Sequence, residues 1–313
     1  MDRCGYLFAG QGAQYVGMGK DLYETFRESK DVFDKADAVL GFSLSELCFE
    51  GPIEELTQTR NCQPAVLTVS IAAWEAFKAA ARHRISPGSF SAGLSLGEYS
   101  ALVSAQAVTF EDAVHLVRIR GEFMEEEAIK NPGKMLSIIG LDLEKVKETC
   151  KITGTEIANI NCPCQVVISG GIDEIKKAGK LAGEMGAKRT ILLEVSGAFH
   201  SSYMKNASVR ISKEIDKIKF SEPVIPVISN VTAIPFSSAG EIRENLVKQV
   251  YSSVLWEASL KFMLSSNIRR FFEFGPGKVL KGLMRYTDPE AQVVNMEKKQ
   301  DIDKLRMGES DAV

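Results

Sequence analysis

Ser95 sits in Gly93-Leu94-Ser95-Leu96-Gly97, a G-x-S-x-G spacing. That pattern suits a serine on a sharp strand-to-helix turn with its hydroxyl exposed. Glycines two before and two after leave room for the tight backbone. The helical stretch that follows would aim its first N–H groups at an oxyanion beside the serine. A glycine-rich loop or helix cap without chemistry fits the same five residues.

A serine hydroxyl needs a base near neutral pH, and histidine, with an ordinary pKa of about 6.5, is the usual one. The chain has three histidines. His83 lies in the basic stretch Ala81-Arg82-His83-Arg84 and reads as solvated. His115 lies in the middle of a helical pattern. His200 lies in Ser196-Gly197-Ala198-Phe199-His200-Ser201-Ser202, a loop between a strand and a helix. Open α/β sheets gather their chemistry in loops at strand ends, so position favours His200 over His115. A packing or capping role is the alternative for His200.

The elements that must position these residues alternate. Tyr6–Ala9 reads as a buried strand stopped by Gly10-Gln11-Gly12. Helical patterns follow over 20–40, 53–56 and 63–81, the last with Pro64 in its first turn. Ser89–Gly93 is a short strand, and 99–107 and 110–128 are helices. This alternation predicts a parallel sheet with helices on both faces. From Asn131-Pro132-Gly133 the pattern changes to strands at 134–140, 156–161, 165–169 and 188–195, with helices at 143–150 and 173–185. That β-α-β-β-α-β order is ferredoxin-like. Beyond Ser196, helices are expected at 204–218, 239–250, 256–265 and 278–285, with strands at 224–229, 270–274 and 292–296. The tail from Lys298 is polar and expected to fray.

Bulk properties exclude several classes. Of 313 residues, 45% are hydrophobic and 25% charged, which suits a large globular core. The net charge of −3 is spread without a basic run, so no nucleic-acid partner is expected. No apolar run is long enough to span a membrane, and the strand-like opening is unlike a signal peptide, so a cytoplasmic location is expected. The six cysteines form no CxxC pair and no Cys/His cluster; Cys162 and Cys164 flank Pro163 in a turn. Reduced thiols and no metal are expected.

Six ordered motifs give the chain a specific resemblance. They are Phe8-Ala9-Gly10-Gln11-Gly12-Ala13-Gln14, Gly93-Leu94-Ser95-Leu96-Gly97-Glu98-Tyr99, Val117-Arg118-Ile119-Arg120-Gly121-Glu122-Phe123-Met124, Gly197-Ala198-Phe199-His200-Ser201, Val247-Lys248-Gln249-Val250-Tyr251 and Phe274-Gly275-Pro276-Gly277-Lys278-Val279-Leu280. Over about residues 4–298 the sequence resembles the malonyl-CoA:acyl-carrier-protein transacylases. The resemblance implies an α/β-hydrolase-like core with a parallel sheet, 1–130 and 197–298, and a ferredoxin-like βαββαβ insert, 131–196, ahead of a flexible tail, 299–313.

It also implies roles. Ser95 is the expected nucleophile and His200 the base. A backbone carbonyl near Gln249 is expected to hold the imidazole in place of a carboxylate. Leu96 and Gln11 would supply oxyanion N–H groups. Arg120 would pair with the malonyl carboxylate, which could not be buried alone. Arg118 and Arg120 stand about 200° apart around a helix, so one can face the site while the other is solvated. Gln249 and Gln11 would line the pocket, Phe199 would exclude an α-methyl group, and Asn159, Asn161 and Gln165 are candidates for pantetheine contacts. Leu94 departs from the family's usual histidine.

The implied reaction is ping-pong transfer of malonyl from malonyl-CoA to holo-acyl carrier protein for fatty-acid synthesis, by a monomer, with no cofactor. An acidic carrier would want a basic patch, from Lys188 and Arg189 or Arg269 and Arg270. A trans-acting polyketide acyltransferase would use the same residues. A serine acyl hydrolase would use Ser95 and His200 without needing Arg120, and a silent carrier-binding scaffold would need none of them.

Overall fold

The computed structural model describes residues 3–81 and 88–307. His83 lies outside these residues. The strands are β1 Cys4–Phe8, β2 Phe90–Gly93, β3 Gly133–Ile139, β4 Glu156–Cys162, β5 Gln165–Gly171, β6 Arg189–Leu192, β7 Arg270–Phe274 and β8 Gln292–Met296. They form two sheets. The first is parallel, in the order β2-β1-β7-β8, and the second is antiparallel, in the order β4-β5-β3-β6.

In the parallel sheet Phe8 is in register with Gly93 on one side and Phe274 on the other. All three strands therefore deliver their carboxyl ends, and the loops after them, to one edge. The strands are short and mostly buried because both faces are covered. The helix Thr59–Ala81 is buried almost all round and packs Trp74 and Phe77 against Tyr6, Phe8, Phe272 and Phe274. Burying one such ring is worth about 1.5–3 kcal/mol.

Several elements depart from expectation for identifiable reasons. The stretch 20–40 is two helices, Lys20–Thr25 and Arg27–Leu40, broken where Phe26 turns extended and buries its ring. The central helix starts at Thr59, four residues early, so Pro64 lies inside it. No strand forms at 224–229. Pro226 has no N–H to donate, and the segment touches β2 only around Ser91, whose N–H reaches Pro226 O at 2.9 Å and whose carbonyl accepts from Ile228 N. Within the tail expected to fray, Lys299–Met307 is a helix, and 308–313 lie outside the described residues. Ile302 and Leu305, one turn apart, are both buried.

Among the described residues no helix is long and apolar enough to cross a membrane. The six cysteines are free thiols, five buried and Cys164 exposed.

Candidate active site

Ser95 lies two residues beyond β2 and two before the helix Gly97–Ser104. The turn is so tight that a Cβ on Gly93 would lie 1.9 Å from Gly97, and one on Gly97 would lie 2.2 Å from Phe8 O. The two glycines of the elbow are thus required by sterics. Ser95 itself takes φ 52°, in the left-handed region. His200 does the same at φ 56°. Such strain costs about 1–3 kcal/mol per residue and persists only where the surroundings enforce it.

The two strained residues meet. Ser95 Oγ lies 2.7 Å from His200 Nε2, and His200 Nδ1 donates to the backbone carbonyl of Gln249 at 2.8 Å. The second bond fixes the tautomer, leaving Nε2 to accept from the serine. His200 is only 5% exposed. Burial, and then the Arg120 charge, lower its pKa from 6.5 to about 4, so the ring is neutral near pH 7. The loop is tied to the antiparallel sheet by Ser169 Oγ, which donates to Phe199 O at 2.6 Å. His115, in contrast, is exposed on its helix.

Arg120 is 1% exposed and points at the same place. Its Nη2 donates to Ser95 Oγ at 3.3 Å and to Gln249 Oε1 at 3.1 Å, and its Nη1 donates to Gln63 Oε1 at 2.7 Å. Gly121 makes this possible. A Cβ there would fall 2.6 Å from Arg60 Cα, so only glycine lets the helix Phe110–Lys130 come this close to Thr59–Ala81. Arg118 points away and pairs with Glu122 at 2.7 Å, as helical spacing requires. No carboxylate forms an ion pair with Arg120 among the described residues. Its bonded partners are two neutral amides and a hydroxyl.

A cleft of about 240 Å³ opens above these groups. Gln11, Leu94, Phe199, Asn159, Asn161 and Gln165 line it, along with Val279 and Leu283 from the helix Val279–Thr287. Asn161 Oδ1 and Ser137 Oγ, both on cleft-lining residues, are buried without a partner. The N–H groups of Gln11 and Leu96 find no acceptor among the described residues. Gln249 does not line the cleft as expected. It is fully buried beneath it, at the end of the helix Ala239–Gln249, where its amide serves Arg120 and the Ser95 carbonyl.

Three residues of this cluster were not singled out by sequence. Gln63 holds Arg120. Glu98, next in the elbow motif, accepts from Gln249 Nε2 and from Asn230 N, the latter at 3.1 Å. Burial raises Glu98 from 4.5 to about 8, against those bonds and the Arg120 charge. Asn230 accepts from Ser95 N at 2.6 Å. Only the position of Glu98 beside the serine gave any local signal.

Of the two basic pairs, Arg269 and Arg270 stand at the start of β7, opposite Cys4, at the far end of the sheet from Ser95. Arg269 is also spent on the carbonyls of Leu264 and Ile268. That pair is excluded as a patch beside the cleft. Lys188 and Arg189 are exposed on the other sheet, where Arg189 and the cleft residue Gln165 both pair with Ile139.

Comparison with known proteins identifies the family. Residues 5–289 match the acyl transferase domain family. The chain is 48% identical over 290 residues to the malonyl CoA-acyl carrier protein transacylase of Bacillus subtilis, covering 91% of this chain and 90% of that one. It superposes on the crystal structure of an acyl carrier protein S-malonyltransferase from Vibrio cholerae with a TM-score of 0.93 at 36% identity, over 97% of this chain and 100% of that one. A malonyl-transacylase solved with its type II polyketide synthase acyl-carrier protein gives 0.94 at 35% identity, over 98% and 100%. Matched along nearly its whole length in both sequence and fold, the chain belongs to the malonyl-CoA–acyl carrier protein transacylases of the acyl transferase family.

Proposed function

We propose that this protein moves the malonyl group of malonyl-CoA onto the phosphopantetheine thiol of a holo-acyl carrier protein, through a malonyl ester on Ser95. The observation that carries this reading is Arg120. Its guanidinium is buried 3.3 Å from the nucleophile with no anion bonded to it among the described residues. A buried cation needs one, and the free carboxylate of a malonyl group on Ser95 supplies it.

His200 Nε2 takes the Ser95 proton as Oγ attacks the thioester carbonyl. The N–H groups of Leu96 and Gln11 hold the tetrahedral oxyanion, each worth about 3 kcal/mol in such sites. The C–S bond breaks and CoA leaves with the proton from His200. The carrier thiol then gives its proton to His200 and attacks the ester, and Ser95 recovers the proton. The scheme calls on no metal or organic cofactor. Phe199 bounds the acyl pocket, and Asn159, Asn161 and Gln165 receive the pantetheine arm. The unpartnered oxygen of Asn161 favours that role.

The order of β3 to β6 with their two helices favours a ferredoxin-like insert over 131–196. The shared edge of β1, β2 and β7 favours one hydrolase-like unit from 1–130 and 197–298. Lys188 and Arg189 are read as part of the acidic carrier's docking surface. We assign the fatty-acid carrier, with a polyketide carrier as the competing substrate. Incubation with labelled malonyl-CoA and each holo carrier tests the whole reading. Label on the carrier is expected, and release of free malonate without loaded carrier would overturn it.

A further inference from the structure

We propose that Asn230 is a positioning residue for catalysis, the clasp that holds the strained Ser95 turn and leaves the next N–H free for the oxyanion. The inference rests on Ser95 acting as the nucleophile. Asn230 is fully buried, and its side chain bonds both sides of the elbow. Oδ1 accepts from Ser95 N at 2.6 Å, and Nδ2 donates to Gly93 O at 2.8 Å.

An acceptor facing an N–H and a donor facing a carbonyl are what a primary amide supplies and a carboxylate does not. The clasp is itself anchored. The Asn230 N–H donates to Glu98 Oε1 at 3.1 Å, and its carbonyl accepts from Leu255 N at 2.8 Å. Residues 226–228, stitched to Ser91 of β2, bring it beneath the turn.

Left-handed backbone at a serine does not hold itself. The Ser95 N–H is committed to Asn230, so it cannot serve as an oxyanion donor. The Leu96 N–H, without an acceptor of its own, can. Glu98 links the clasp to the rest of the site, because its other oxygen accepts from the Gln249 amide. Asn230 touches neither His200 nor Arg120 by any of these bonds. Its loss should therefore slow acylation without altering substrate choice.

The test uses Asn230→Ala and Asn230→Asp, which has nearly the same shape but opposes an oxygen to Gly93 O. The rate of malonyl-Ser95 formation from malonyl-CoA is measured by rapid quench and intact mass, with folding followed by thermal melting. Both variants should lose about 10²-fold in the acylation rate constant. KM for malonyl-CoA should move less than about threefold, and the malonyl-to-acetyl ratio should stay at the wild-type value. A rate in either folded variant within about threefold of wild type would overturn the proposal. So would a loss confined to KM, or failure of both variants to fold, which would mark Asn230 as a core residue only. Absence of acylation in the wild type would instead sink the functional reading.

Discussion

His200 Nδ1 donates to the main-chain carbonyl of Gln249 at 2.8 Å, so this imidazole is oriented by backbone where serine triads use a carboxylate. This separates two roles of one residue. The Gln249→Ala protein keeps the carbonyl and so keeps the tautomer of His200, but loses the amide that contacts Arg120 and Ser95 O. Its acylation rate should fall far less than that of His200→Ala, for which a loss of about 10³-fold or more is expected. Its preference for malonyl over acetyl should shrink. Single-turnover rates with both thioesters check this.

Arg120→Ala should depress malonyl transfer by about 10²-fold or more, the cost of leaving one partner of a buried charge pair alone. Acetyl transfer should be affected much less, because acetyl has no carboxylate. Arg120→Lys should not restore the malonyl rate, since an ammonium cannot give the two-pronged contact. Equal losses on both substrates, read as kcat/KM, would assign Arg120 a structural role.

Two buried groups set the pH dependence with opposite signs. With the neutral His200 ring as the proposed base, acylation should rise with pH through about 4 and be level near neutrality. Glu98, raised to about 8 by burial, ionises above that value and places an anion near Arg120. Malonyl acylation should therefore fall above about pH 8, acetyl acylation should not, and Glu98→Gln should remove the fall. For stability, His200 binds fewer protons folded than unfolded, so stability is lost as pH drops from 6.5 toward 4. Glu98 binds more protons folded, so its contribution is lost as pH rises from 4.5 to 8. Melting curves across this range check both slopes.

Gly93→Ala and Gly97→Ala should each destabilise the protein by about 3 kcal/mol or more, since the added methyl meets backbone that cannot yield. Denaturant midpoints measure this. A well-folded Gly93→Ala protein with full activity would contradict the elbow geometry.

Much of this was legible in the chain. The elbow, the His200 loop and the change of pattern after 131 are local signals, written in glycines, prolines and alternating apolar runs. The strands Arg270–Phe274 and Gln292–Met296 lie where those runs place them. The illegible parts depend on partners far away in sequence. Gln63 and Asn230 read as ordinary polar residues until the fold places them 57 residues from Arg120 and 135 from Ser95 along the chain. The Gln249 carbonyl lies where the family resemblance placed it, against His200 Nδ1, although nothing in the residue itself marks that role. The helix 299–307 was masked by its polar composition, because only Ile302 and Leu305 need be buried to dock it.

The central claim is that Ser95 carries the malonyl group. Intact mass of the protein after brief exposure to malonyl-CoA tests it most directly. One malonyl adduct is expected, on Ser95, discharged by holo carrier and missing from Ser95→Ala. An adduct of equal yield in Ser95→Ala, or none in the wild type while transfer proceeds, would contradict the account.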